Sequence, residues 1–192
     1  MKTLGHHTTE NRDNVAYILQ NGAFFSSLEP DTHHVPFLGE GYYFWDDNEE
    51  MAHFWGEKTK RGAYCVFTSD LVIDDATFLD LVGSRQCQKW LLGWANRLEE
   101  RDGKKWAVGN LIEYLKYLSK YLNNEAIFPF KVIRAADYSQ PNSVQMRLSF
   151  SERKNLKNKY TVINPVYIIC VLDNTDQTVQ PLQHIFSTTP TP

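Results

Sequence analysis

A chain of 192 residues with 42% hydrophobic content has room for one ordinary globular core and needs no disulfide or metal staples. Its net charge of −3 excludes a polycation that binds nucleic acid through overall charge alone. The three cysteines, Cys65, Cys87 and Cys170, are isolated and odd in number, which fits inert thiols in a reducing compartment better than a disulfide framework or a zinc site.

The opening MKTLGHHTTENRDN carries no apolar run, and no later stretch approaches the ~20 apolar residues of a membrane span. The expectation is a cytoplasmic protein with no membrane partner. Residues 2 to 8 read as a short strand. In NRDNVAYILQNG, Val15, Ile18 and Leu19 stand at helical spacing, and Asn21-Gly22 supplies the stop. Residues 26 to 37 are rich in Ser, Pro, Asp, Thr and His and read as loop. The aromatic block after Gly41 suits a strand. DDNEEMAHFWGEKTK reads as a helix with acids at its start and lysines at its end, the arrangement that the helix dipole favours. GAYCVFTSD, nearly continuous in apolar residues, reads as a central strand.

From Ser84 to Leu122 the pattern becomes helical. Leu91, Trp94, Ala95 and Leu98 form one apolar stripe; Leu111, Leu115, Leu118 and Leu122 form a second. Asp102-Gly103 separates them, so a helical hairpin is predicted, inserted over about residues 84–124 of a single domain spanning residues 1–192. Eight cations and four carboxylates leave this stretch at +4, against −7 for the rest of the chain. Strands return at KVIRAAD, at SVQMRLSF with its alternation of Val144, Met146, Leu148 and Phe150, and at PVYIICVL. The tail from Asn174 is rich in Thr, Gln and Pro, and TTPTP is expected to fray. This order predicts an α+β fold with mainly antiparallel strands.

Three separated pieces carry the chemistry. In LGHHTT, His6 and Thr8 share one face of an extended segment. In GEGYYFWDD, Tyr43 follows Gly41 by two residues. In VQMRLSF, Gln145 lies on the polar face. Together they resemble the ADP-ribosyltransferases of the diphtheria-toxin and poly(ADP-ribose) polymerase type. That family carries His-x-Thr/Ser on its first strand, then Gly-x-Gly-x-Tyr-Phe, then a late strand bearing the catalytic residue, commonly Glu. Gly39-Glu40-Gly41-Tyr42-Tyr43-Phe44 matches the second motif position by position, and Phe54 stands eleven residues after Tyr43, where the family places its second nicotinamide-stacking ring. The helix NVAYILQNGAFFSS continues the first motif. The resemblance covers residues 2 to 68 well and 142 to 172 loosely, and it leaves the basic hairpin unexplained.

What the resemblance implies is a split β-sandwich with helices, NAD as co-substrate, and transfer of one ADP-ribose to RNA, DNA or protein. A toxin restrained by an antitoxin protein, or a phage-defence effector, is the context it implies. His6 would hydrogen-bond the ribose beside the adenine, or otherwise the NAD ribose edge, with support from Thr8. The backbone at His7 would hold the nicotinamide amide. Tyr43 and Phe54 would sandwich the nicotinamide ring, each stacked pair contributing ~0.5–1.5 kcal/mol beyond area burial. Gly39 and Gly41 would let the chain turn tightly and approach the ligand. The chain departs from the pattern at the last motif: the position expected to hold Glu falls on Gln145, with Arg147 and Asn164 as other placements. That departure favours single transfer over chain elongation, or a catalytically silent module that binds NAD or ADP-ribose.

Other features have blander readings. Glu40 either supplies the missing charge or is a solvated turn residue. His33-His34 resemble a weak metal site but have no acidic or Cys ligand beside them. His53 reads as a surface histidine. Tyr114, Tyr117 and Tyr121 form a helical stripe that either packs or, interleaved with Lys116 and Lys120, stacks bases. Arg147, Arg153, Lys154, Lys157 and Lys159 add positive charge near the late strand.

Overall fold

The computed structural model describes residues 1–29, 34–60, 63–138, 146–149, 160–175 and 177–188. Its strands are β1 (Lys2–Glu10), β2 (Phe25–Ser26), β3 (Gly41–Asp46), β4 (Tyr64–Val72), β5 (Phe78–Asp80), β6 (Val132–Ala136), β7 (Met146–Ser149), β8 (Tyr160–Ile163), β9 (Tyr167–Val171) and β10 (Gln183–Ser187). Its α-helices are α1 (Val15–Asn21), α2 (Glu49–Thr59), α3 (Arg85–Asp102) and α4 (Val108–Tyr121). The fold is α+β. One mixed sheet runs β10-β4-β1-β3-β9-β6-β5, with β2 added alongside β3, and β7 and β8 form a separate two-stranded ribbon. Among the described pairs only β5 and β6 run parallel.

Alternation along the strands gives the sheet two apolar faces. One face carries Trp45, Val66, Ile133, Ile168 and Cys170 and is covered by α2, α3 and α4 through Met51, Ala52, Leu98, Leu111, Ile112 and Leu115. The other carries Phe44, Phe67, Leu71, Val132, Ile169 and Val171 and is closed by Ile18 of α1 and by Leu182. The hairpin is therefore not an appendage. Its apolar stripe fills the first core, and most of its charged residues face outward.

Local chemistry explains the helix boundaries. The Asn48 side chain accepts from Met51 N–H at 2.9 Å, and Glu49 and Glu50 occupy the first turn of α2. Ser84 accepts from Cys87 N–H at 3.2 Å to start α3, and Gly103 at φ 68° ends it. β4 is interior, as its continuous apolar run predicts. Four strands were not expected from the sequence. β2 has two residues, β5 has three, β8 has four, and β10 lies in the polar tail. β10 pairs with the outer edge of β4 through a register shift between His184 and Phe186. β2, β8 and β10 bury little side chain, so their period-2 signal is weak, whereas β5 buries Phe78 and Leu79 but is too short for a period to show.

Candidate active site

β1 and β3 share only a short ladder. Gly5 stands opposite Asp46 and His6 opposite Trp45, while β1 pairs with β4 along its whole length from Lys2 to Glu10. Past His6 the two strands part, and β3 turns its bonding to β9 from Tyr42 to Trp45. The His7 imidazole spans the gap. Its Nδ1 donates to the Tyr43 carbonyl oxygen at 2.9 Å, and its Nε2 accepts from Phe24 N–H at 3.4 Å. These two bonds select the neutral tautomer protonated at Nδ1. Burial pushes the His7 pKa below the ordinary value, against the Tyr43 carbonyl, which favours the charged form.

His6 points to the opposite side from His7, onto the face covered by α2. Strand pairing places Thr8, Tyr43 and Trp45 on that same face, so the two sequence motifs converge as their spacing implies. His6 is 4% exposed, and its Nδ1 is buried without a protein hydrogen-bond partner. Thr68, directly across the ladder on β4, also has a buried hydroxyl with no protein partner. Buried polar atoms are nearly always satisfied, so two such atoms side by side are open to a hydrogen bond from a water or a ligand group. Burial lowers the His6 pKa; the carboxylates of Glu49 and Asp47 act in the other direction, and His53 adds to the lowering. His6 is therefore neutral near pH 7, with one ring nitrogen able to donate and the other to accept.

Thr8 spends its hydroxyl on the helix, donating to the Ala52 carbonyl at 2.8 Å and seating α2 against β1. Tyr43 spends its hydroxyl on the turn, donating to the Gly39 carbonyl at 2.6 Å and accepting from Leu38 N–H at 2.7 Å. What Tyr43 can still offer a ligand is its ring. Phe54 packs on the same half of the core, with the Lys58 ammonium 5.7 Å from its ring centroid.

The two glycines of the turn have reasons internal to the protein. Gly39 has φ 86°, in the left-handed region, and a Cβ there would lie 2.4 Å from Glu113 Oε1. A Cβ on Gly41 would lie 2.5 Å from Cys170 Sγ and 2.8 Å from the Val171 carbonyl oxygen. Close approach to β9 and α4, within the protein, thus already accounts for both. Glu40 is engaged within the protein: its Oε1 accepts from Leu28 N–H at 2.7 Å, and its own N–H donates to Glu113 at 2.7 Å. The basic hairpin, through Glu113, holds the motif turn in shape.

Gln145, Arg153, Lys154, Lys157, Lys159 and His33 lie outside the described residues, as does the side chain of Arg147. Asn164 is described. It sits at φ 55° just after β8, accepts from Asn48 Nδ2 at 3.4 Å and donates to Glu50 Oε2 at 3.4 Å. The ribbon's end is thus tied to the start of α2, close to the acids that act on His6. Sequence reasoning missed that role for Asp47 and Glu49, because the DDNEE run already has a sufficient local reason as a helix start. His53, read as a surface residue, is instead half-buried: it pairs with Glu49 at 3.5 Å and approaches the Tyr64 hydroxyl at 3.1 Å.

A second polar cluster lies on the opposite face of the sheet. Asp46 accepts from Thr3 Oγ1 at 2.5 Å and meets Arg134 Nη2 at 2.6 Å, and the Arg134 guanidinium stacks 4.5 Å from the Tyr167 ring centroid. Clefts of about 410 and 350 Å3 are lined by residues of α3, α4 and their neighbours, not by His6 or Tyr43. Among the described residues no helix is long and apolar enough to cross a membrane. No protein-family model, curated protein or solved structure matches the chain.

Proposed function

We propose that the chain is an NAD-dependent mono-ADP-ribosyltransferase with the split β-sandwich of that family, acting on a macromolecule as a toxin or phage-defence effector. The observation that carries the reading is the parting of β1 from β3 just past His6 and Trp45. It leaves a neutral, buried His6 with an unpaired Nδ1 on the same face as the rings of Tyr43 and Phe54.

In this reading His6 holds a ribose hydroxyl through its unpaired nitrogen, and Thr68 offers a second polar contact. The rings of Tyr43 and Phe54 orient the nicotinamide, and the backbone at His7, fixed by its own side chain, holds the amide. The bond broken joins ribose C1′ to the pyridinium nitrogen. Its electron pair leaves with nicotinamide and neutralises the ring, so no acid is required. The acceptor oxygen or nitrogen forms the new bond to C1′ and releases a proton. Positive charge builds on the ribose before the acceptor arrives, and negative charge placed beside it lowers the barrier. Asp47 and Glu49, whose charges already reach His6, supply that field in place of a late-strand Glu.

The amide at Gln145 favours a second reading, in which the protein binds NAD or ADP-ribose without cleaving it. Incubation with NAD labelled at the adenylate phosphate, in a bacterial lysate, separates the two. The expected result is label on one macromolecular class, with free nicotinamide released, lost in His6→Ala. A thermal shift with NAD but no released nicotinamide would select the binding module. No shift at saturating NAD would remove both, because a ligand bound only to the folded state raises its stability.

A further inference from the structure

The outer surface of the hairpin opposes the charge of the rest of the chain, and it is built of rings and cations in alternation. Tyr117 and Tyr121 stand one turn apart on α4, stacked with centroids 5.7 Å apart and planes 18° apart. They are 60% and 71% exposed, so the outward ring faces meet solvent. Lys116 and Lys120 form the adjacent row on the helix and line a cleft of about 410 Å3 with Lys131, Phe128 and Phe130. A second cleft, of about 350 Å3, opens on the other side of the turn after α4. It is lined by Trp90, Trp94, Lys89 and Arg97, with the Arg97 guanidinium 5.5 Å from the Trp94 ring. The two clefts hold five cations against two carboxylates, Glu125 and Asp173. Part of Lys116 is already spoken for, since its Nζ donates to Glu113 at 2.7 Å. Lys89 and Lys120 make no ion pair among the described residues.

We infer that this face binds single-stranded nucleic acid, with unpaired bases stacking on Tyr117 and Tyr121 and the backbone phosphates running along Lys89, Arg97 and Lys120. An acidic protein would be drawn by the same cations but has no use for two near-parallel rings held out in water. A duplex hides its base faces, so the rings select an unpaired strand. As a binding surface the inference stands apart from NAD chemistry. As the device that delivers the acceptor, it rests on the transferase reading and narrows the acceptor to a nucleic acid.

The test is fluorescence anisotropy without NAD, using labelled mixed-sequence strands of about 12 nucleotides, within the range that such surfaces cover. Single-stranded RNA, single-stranded DNA and a DNA duplex form separate arms. The expected result is binding of an unpaired strand in preference to the duplex, with the RNA and DNA arms naming the sugar. Tyr117→Ala with Tyr121→Ala should weaken it about 10-fold or more, the scale of lost base stacking. Lys89→Gln with Lys120→Gln should flatten the salt dependence by roughly one to two units of logarithmic slope. All four side chains are exposed, and circular dichroism verifies folding. Absence of binding to every strand at low salt would overturn the inference, as would unchanged affinity in the tyrosine variant. Equal competition by polyglutamate would also overturn it, assigning the face to an acidic protein. Loss of strand binding with an intact NAD thermal shift sinks this inference alone, and the converse pattern sinks the NAD reading alone.

Discussion

The Tyr43 hydroxyl donates to the Gly39 carbonyl oxygen at 2.6 Å, closing the Gly-x-Gly turn on the ring that the turn presents. The same hydroxyl accepts from Leu38 N–H, and its desolvated position pushes its pKa well above the usual phenol value. Tyr43 is therefore both a ring and a clamp. Tyr43→Phe keeps the ring and leaves two buried backbone groups unpaired, at a cost of about 1–3 kcal/mol for each group. The expected outcome is a lowered urea midpoint with NAD binding retained. Tyr43→Ala should lose both stability and NAD binding. Full NAD binding by a folded Tyr43→Ala protein would show that the ring has no part in the site.

Gly39 tests the turn from the other side. A side chain there must adopt φ 86° and displace the Glu113 carboxylate, which holds the Glu40 N–H and the Lys116 ammonium. Gly39→Ala should cost roughly 1–2 kcal/mol for the left-handed backbone alone, plus the loss of the Glu113 contacts. Thermal melts of Gly39→Ala, Glu113→Ala and the double variant measure the coupling. The double variant should be less destabilised than the sum of the singles, because the displaced carboxylate is gone. Strict additivity would mean that the turn and α4 do not depend on each other.

The Asp46–Arg134 pair links β3 to β6 across β9, with Tyr167 of β9 beneath the guanidinium. Asp46 is 3% exposed at its side chain and Arg134 20%. Removing one partner strands the other in a poorly solvated place, which costs about 3 kcal/mol or more. Asp46→Ala and Arg134→Ala should each lower the denaturant midpoint strongly, and Asp46→Leu with Arg134→Met should recover much of the loss. A single-variant cost below about 1 kcal/mol would class the pair with exposed ion pairs.

His6 and His7 both have pKa values held below the ordinary 6.5, mainly by burial. A folded pKa below the unfolded one means that the unfolded chain takes up protons first on acidification. The stability they contribute is thus full above about pH 6.5 and falls as the pH drops below it, by at most about 1.4 kcal/mol per pH unit for each residue. Charging His7 would also set its Nε2–H against the Phe24 N–H. Urea denaturation between about pH 7 and pH 5 should show this decline, and His7→Asn, which retains a donor near Nδ1, should reduce it. A flat profile in the parent protein would contradict the burial of these rings.

Much of the fold is legible in the residues themselves. β1, α1, β3, α2, β4, the hairpin, β6 and β9 follow from apolar periodicity, from the acidic start and basic end of α2, and from Gly22 and Gly103 as stops. Those signals are short-range: each depends on a handful of neighbours along the chain. β2, β5, β8 and β10 escaped because two to five residues are too few to establish a period-2 pattern, even where, as in β5, Phe78 and Leu79 are buried. The motif residues were legible as residue types, and the alternation of strands was enough to predict that His6 and Thr8 share a face.

What only the tertiary structure decided is what those side chains do. The sequence by itself determined where the longer strands and the helices form, and that a Gly-x-Gly turn presents rings after an extended His-x-Thr. It could not show that β1 and β3 part past His6, that His7 bridges the gap, or that Tyr43 spends its hydroxyl on its own turn. Nor could it show that Glu113, far along the chain, holds that turn, or that Asp46 finds Arg134 across an intervening strand. Local propensity is set by neighbours in sequence, whereas hydrogen bonding, burial and charge are set by neighbours in space. Strand pairing and helix packing decide who those are.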